Sequence, residues 1–189
     1  MSVSVFKNAV PQLPKDDKTC AELPISSLDI TYGSSIACNT EYIYIALGGG
    51  DVGVVPLFEF GKKRFLLPKL KASPNTLLSI AATYLDSSIF ATIAQDDLVK
   101  VWRKTSEKDP YYSLASQIRK EGVEKIKNIA FNPCCSRILA SVSDFIINIV
   151  DIEKPDRSLV PLRPGNFTNL SWKDDGSLIA VVSDVSTFS

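Results

Sequence analysis

Four times along this chain a short apolar run leads into an aspartate that opens a turn or a new run. The aspartates are Asp51, Asp96, Asp144 and Asp184, spaced 45, 48 and 40 residues apart. Before them stand Tyr42–Leu47, Ile89–Ala94 and segments 137–142 and 177–182, and six residues after the first three come Leu57, Trp102 and Val150. A period of this length built from strand-like runs marks a repeat architecture. Its unit cannot bury both faces of its own sheet and needs copies of itself.

The unit is clearest at residues 77–102, LLSIAATYLDSSIFATIAQDDLVKVW. Three apolar runs rich in β-branched residues are separated by Asp86-Ser87-Ser88 and by Gln95-Asp96-Asp97, which predicts three antiparallel strands joined by hairpins. The period brackets the blade length of a WD40-type β-propeller, so the expected fold is all-β and incomplete, with about three and a half blades. The expected division is an N-terminal arm over 1–34, blade one over 35–75, blade two over 76–117, blade three over 118–165 and a truncated blade four over 166–189.

Within those limits the arm alternates over 3–7 like a short strand, one suited to completing the blade made by the other end of the chain, and then carries three prolines and a charge cluster. Blade one is read as strands at 35–38, Tyr42–Leu47 and 52–57, with an outer strand at 64–67. Blade two gains an outer strand at 111–115, followed by a polar connection over 117–125. Blade three is read at 126–131, 137–142, 145–152 and 156–162, with 132–136 as a turn. Blade four begins with 166–172 and 177–182 around Lys173-Asp174-Asp175-Gly176.

Composition excludes much chemistry. There is no histidine, so Ser-His-Asp and Cys-His catalysis and His-containing zinc sites are impossible within this polypeptide. The four cysteines, Cys20, Cys38, Cys134 and Cys135, form no C-x-x-C pair, and vicinal Cys134-Cys135 has only Arg137 nearby to lower a thiolate pKa. No metal, cofactor or catalytic set is therefore expected. Lys plus Arg and Asp plus Glu are equal at 21 each, which argues against a nucleic-acid binder driven by counterion release. No apolar stretch reaches the span of a membrane helix and the first ten residues are too short and polar for a signal peptide, which gives a cytoplasmic expectation.

Three features invite sharper readings. Gly48-Gly49-Gly50 lies between two strands with Asp51 next, an arrangement that suits a hairpin or bulge and would repel a phosphate. Asp96-Asp97 and Asp174-Asp175 are paired carboxylates, but they fall in turns, where aspartate is ordinary. The densest positive cluster, Lys62, Lys63 and Arg64 with Lys69 and Lys71, supplies the candidate partner-binding residues Lys62, Lys63 and Arg64. Its plain reading is a solvated outer edge and its functional reading an acidic protein partner.

The arm with Phe6-Lys7, the segment SSIACNTEYIYIALGGGDVGVVPL, the stretch 77–102 and FTNLSWKDDGSLIA together resemble the coronins, over nearly the whole chain. The resemblance implies a non-enzymatic WD-repeat scaffold in actin cytoskeleton organisation, including filament binding, or in vesicle and Golgi trafficking. The alternative is a WD-repeat subunit of an unrelated complex with no actin role. Two departures matter. Ser73 stands where WD blades place a histidine, so Asp96 must find its partners among backbone N–H groups or a hydroxyl, and Val150-Asp151 replaces Trp-Asp in blade three. Pro24 stands where actin-binding coronins carry an arginine, and proline cannot make that residue's charge-assisted bonds, which favours the tandem-propeller, Pod-type subgroup.

The coronin propeller implied by the resemblance is a closed ring of more blades than this chain encodes. The expectation is a fragment, a truncated isoform or an incomplete gene model, with open blade faces that self-associate.

Overall fold

The computed structural model describes residues 33–57, 69–105, 112–119, 125–144, 146–158 and 166–183. They form strands β1 (Ile36–Cys38), β2 (Tyr42–Leu47), β3 (Asp51–Pro56), β4 (Lys69–Lys71), β5 (Leu77–Ala82), β6 (Ile89–Ala94) and β7 (Val99–Lys104). There follow β8 (Tyr112–Ile118), β9 (Ile126–Asn132), β10 (Cys135–Ser143), β11 (Ile147–Asp151), β12 (Lys154–Ser158), β13 (Phe167–Trp172) and β14 (Ile179–Ser183). Each set of consecutive strands is its own antiparallel meander: β1 to β4, β5 to β8, β9 to β12, and the pair β13 and β14. The expected all-β architecture of successive blades is what forms.

The registers define the repeat more sharply than the aspartates do. Ile36, Ile80, Ile129 and Leu170 occupy one position on the first strand of each sheet, facing Ile45, Thr92, Ser141 and Val181 on the second. The next residues along the second strands, Ala46, Ile93, Val142 and Val182, are therefore equivalent, as are Tyr44, Ala91, Ala140 and Ala180. Asp51 lies five residues beyond its equivalent position, Asp96 three and Asp144 two. The aspartates are consequently not in structural register, because the hairpins they serve differ in length: Leu47 pairs with Asp51, Ile93 with Val99 and Val142 with Ile147.

Burial follows the alternation of each strand. Tyr44, Ala46, Leu77, Phe90, Trp102 and Tyr112 pack between sheets one and two. Ala91, Ile93, Val101, Phe131, Leu139 and Val150 pack between sheets two and three. A smaller group around Ala140, Val142, Phe167 and Leu170 joins three to four. β6 is buried at every position because it has a neighbouring sheet on both faces.

Strand ends differ from the sequence expectation in places. The outer strand expected over 111–115 runs on to Ile118, into the expected polar connection, because Val99 and Lys100 on β7 extend the ladder to pair with Ile118 and Gln117. The outer strand of sheet three, Lys154–Ser158, begins two residues before the expected 156, since Asp151 turns directly to pair with Lys154, and 159–162 lie outside the described residues. The outer strand of sheet one is Lys69–Lys71, and 64–67 lies outside the described residues, as do the 3–7 strand, Pro24 and Asp184. The Gly48–Gly50 segment is a 3-10 turn between β2 and β3. Gly50 has φ +83, and a Cβ there would lie 2.2 Å from the Ser73 carbonyl oxygen, so only glycine closes this hairpin against the chain entering β5.

Candidate functional site

Each described repeat aspartate is held by a lysine of its own sheet. The Lys71 ammonium lies 3.4 Å from Asp51 and also donates to the Gly49 carbonyl. Asp96 takes a 2.8 Å bond from Lys100 and a 3.3 Å bond from the hydroxyl of buried Ser73, while Leu98 N–H donates to its other oxygen at 3.3 Å. Asp144 pairs with buried Lys127, which also donates to Asn166 Oδ1 at 3.2 Å. A hydroxyl and a backbone N–H do replace the missing imidazole at Asp96, as Ser73 predicted. The lysines were missed by sequence reasoning: Lys100 is legible at four residues from Asp96, whereas Lys71 and Lys127 come from other strands at no fixed spacing.

The aromatic side of the network survives in sheet two. Trp102 Nε1 donates to Thr92 Oγ1 at 3.0 Å across the β6–β7 pair. Phe90 stacks on Tyr44 of sheet one with centroids 4.4 Å apart and meets the edge of Tyr112 at 5.1 Å. The Tyr44 and Tyr112 hydroxyls approach to 3.3 Å, and Asn39 Nδ2 donates both to Tyr44 and to the Ser87 carbonyl at 3.1 Å. Burial pushes the Tyr44 phenol up to about 12, and burial with the neighbouring Tyr44 pushes Tyr112 up further. Both rings stay neutral and act as hydrogen-bonding spacers between sheets. In sheet three Val150 is buried at the tryptophan place, and Asp151 instead turns outward to Arg137 at 2.6 Å.

The paired carboxylates do not assemble a reaction site. Asp96 is committed to Lys100 and Ser73, and Asp97 sits at φ +56 in the turn. Asp175 bonds Lys173, the Ser177 hydroxyl and the Ser177 N–H, and the Lys173 bond foremost holds its carboxyl down at about 2. A carboxylate held that low is a poor proton donor near neutral pH. A cleft of about 380 Å³ opens elsewhere, between the outer parts of sheets two and three, lined by Val101, Arg103, Ser116, Ile152, Glu153 and Pro155. Arg103 there faces Asp86 at 3.7 Å and Glu153 faces Arg137 at 3.1 Å. Among the described residues no group of three or more acidic, cysteine or histidine side chains could hold a metal ion. No helix among them is long and apolar enough to cross a membrane.

Apolar side chains are exposed where the end of β1 meets the β5–β6 turn. Tyr84 and Leu85 are 65% and 54% exposed, and the Tyr84 hydroxyl lies 4.0 Å from exposed Cys38 Sγ. Sequence reasoning passed over Tyr84 and Leu85 as part of an apolar strand. The structure ends β5 at Ala82 and lifts both into the turn. Lys62, Lys63 and Arg64 lie outside the described residues; of that cluster, Lys69 and Lys71 are placed on β4 at the edge of sheet one.

The crystal structure of the WD40 domain from Toxoplasma gondii coronin superposes with a TM-score of 0.74 at 22% identity, covering 88% of this chain and 44% of that one. The fold is that of a WD40 β-propeller. The β-propeller domain of Myceliophteria thermophila Cps50 (Swd1) is also similar, with a TM-score of 0.59 at 13% identity, covering 79% of this chain and 48% of that one. The chain thus spans less than half the length of either propeller. A family model described as a domain of unknown function, DUF1899, matches residues 1–62. No curated protein matches.

Proposed function

We propose that this chain is a coronin-like, non-enzymatic WD-repeat scaffold that works in actin cytoskeleton organisation or in vesicle and Golgi trafficking, in the cytoplasm. The observation that carries the reading is the fold likeness to a coronin WD40 domain over 88% of the chain, on top of the sequence resemblance of its arm and first blades. The site geometry supports a binding role. The described repeat aspartates are spent on lysines that hold hairpins, and the paired turn carboxylates do not line the cleft between sheets two and three. A propeller of this kind offers rims and grooves to protein partners, and nothing in the fold itself supplies a reaction.

Lys62, Lys63 and Arg64 remain the candidate contact residues for an acidic partner such as an actin filament, and of the same sequence cluster Lys69 and Lys71 lie on β4 at the sheet-one edge. Cosedimentation with actin filaments over a salt series tests the reading. Pelleting only with filaments, lost as salt rises and lost in a Lys62→Glu, Lys63→Glu, Arg64→Glu variant, is the expected result. A protein that ignores filaments at every salt concentration removes the actin role. In the second reading, a WD-repeat subunit of an unrelated complex with no actin role, that negative result is the expected one.

A further inference from the structure

The three four-stranded sheets each end in an outer strand, and the three strands are guarded differently. β4 is three residues long with Lys69 and Lys71 at its ends, and β12 carries Lys154, Pro155 and Asp156. Short length, charge and proline all discourage a further strand from pairing. β8 is seven residues long, Tyr112–Ile118, with no charged residue and no proline. Ser113, Leu114, Ala115 and Gln117 on it are exposed, Leu114 by 46%. Among the described residues nothing pairs with its outer edge, so alternate residues present backbone N–H and C=O groups there.

The cleft of about 380 Å³ between sheets two and three lies along the same strand. Val101 pairs with Ser116 but Trp102 pairs with Leu114, so Ala115 is an extra residue in the ladder. This bulge brings the consecutive residues Ala115 and Ser116 to the wall of the cleft. Val101 and Ile152, 1% and 4% exposed, supply apolar surface to it, and Pro155 lines it from sheet three. Its two charges are held unequally. Glu153 lies 3.1 Å from Arg137, whereas the Arg103 guanidinium is 3.7 Å from Asp86, whose other oxygen already takes the N–H and hydroxyl of Ser88. Arg103 is therefore the more loosely held ion of the cleft.

We infer that β8 takes an extended segment of a partner protein as a fifth strand of sheet two, with an apolar side chain of that segment in the cleft and a nearby carboxylate on Arg103. Main-chain bonds along an unguarded edge give such a contact its affinity, and the side-chain pocket beside it gives selectivity. The cleft has apolar surface for one side chain, and the guanidinium fork matches a carboxylate. The surface shares no residue with Lys62, Lys63 and Arg64, so peptide binding and filament binding can fail independently.

A phage-displayed library of random linear peptides, selected on the whole chain, supplies the probe. Enriched peptides should share an acidic residue close to an apolar one within a proline-poor, strand-forming sequence. Fluorescence anisotropy then compares the unaltered chain with Arg103→Glu and Ala115→Trp, both at exposed positions and each checked for native circular dichroism. Arg103→Glu should weaken binding by roughly tenfold to a hundredfold, and a peptide with lysine in place of its acidic residue should recover it on that variant. Ala115→Trp fills the cleft and should weaken binding of either peptide. N-methylation of alternate peptide nitrogens should abolish binding in one register and spare it in the other, as strand pairing requires. No enriched peptide, peptides that bind both variants as tightly as the unaltered chain, or binding indifferent to both methylation patterns overturns the inference. So does a dimer of the unaltered chain that Ala115→Trp dissolves in sedimentation velocity, because the occupant of β8 is then a second copy.

Discussion

The junction between sheets one and two and the junction between sheets three and four have the same geometry but different contents. The first is filled by Tyr44, Phe90, Trp102 and Tyr112, with ring stacking at 4.4 Å and a tryptophan anchored to Thr92. The second has Ala140 and Val142 on one side and Phe167, Leu170 and half-buried Trp172 on the other, Trp172 Nε1 donating to the Ala130 carbonyl at 3.2 Å, supplemented by the Lys127–Asp144 pair with its buried lysine. Aromatic side chains bury far more area each and gain from ring geometry as well. A buried ion pair does little more than offset its own desolvation. One repeat position thus yields a tighter joint where the forward face presents a large ring, as at Tyr44, and a sparser one where it presents a small side chain, as at the equivalent Ala140.

The largest expected effect that sharpens this contrast comes from Phe90→Ala. Phe90 is fully buried between Tyr44 and Tyr112, so its truncation should cost about 3–5 kcal/mol of unfolding free energy in urea titration. Phe167→Ala, at a residue 8% exposed in the sparser junction, should cost clearly less. Equal losses would break the comparison.

Next in size is the ion pair. Asp144→Asn leaves the Lys127 ammonium buried opposite a neutral amide and should cost about 1–3 kcal/mol by the same titration. The double replacement Asp144→Asn, Lys127→Met should recover most of that loss, because it removes the stranded charge. If the double variant is no better than the single one, the pair contributes more than its desolvation.

Thr92→Val tests the aromatic joint with a smaller change. It keeps the shape of a fully buried side chain but strands Trp102 Nε1, for an expected loss of about 1 kcal/mol in the same assay, read also as a shift in tryptophan fluorescence.

The smallest signal over the accessible range comes from pH. Tyr44 titrates near 10 in the unfolded chain and at about 12 when folded, so the folded state keeps a proton that the unfolded state releases. Its contribution is complete below pH 10 and declines as pH rises toward 12. Tyrosinate absorbance should show Tyr44 and Tyr112 ionising last, with the unfolding free energy falling over that window and flat just below it. Early ionisation of both rings would mean that the joint is open to water.

How much of this was legible beforehand depended on whether the signal was local. Alternating and continuous apolar runs marked β2 and β6 to the residue and β5 at its start, because each strand declares its own burial. The Gly48–Gly50 hairpin was equally local. Outer strands were not, since β8 and β12 are exposed on much of their length and are fixed by pairing with β7 and β11 rather than by their own pattern. The aspartates suggested the repeat correctly and its register incorrectly, because hairpins of different length shift a turn residue without shifting the strands. The lysine partners Lys71 and Lys127 depended on neighbouring strands, and so lay beyond any reading of spacing.

Native-state hydrogen exchange read by mass spectrometry tests the contrast between the junctions most directly, since it ranks every strand in one experiment. The amides of β6 and β7 should be the most protected in the chain, and those of β13 and β14 should exchange first, ahead of β9 and β10. Equal protection across the four sheets, or slower exchange in sheet four than in sheet two, would contradict the account.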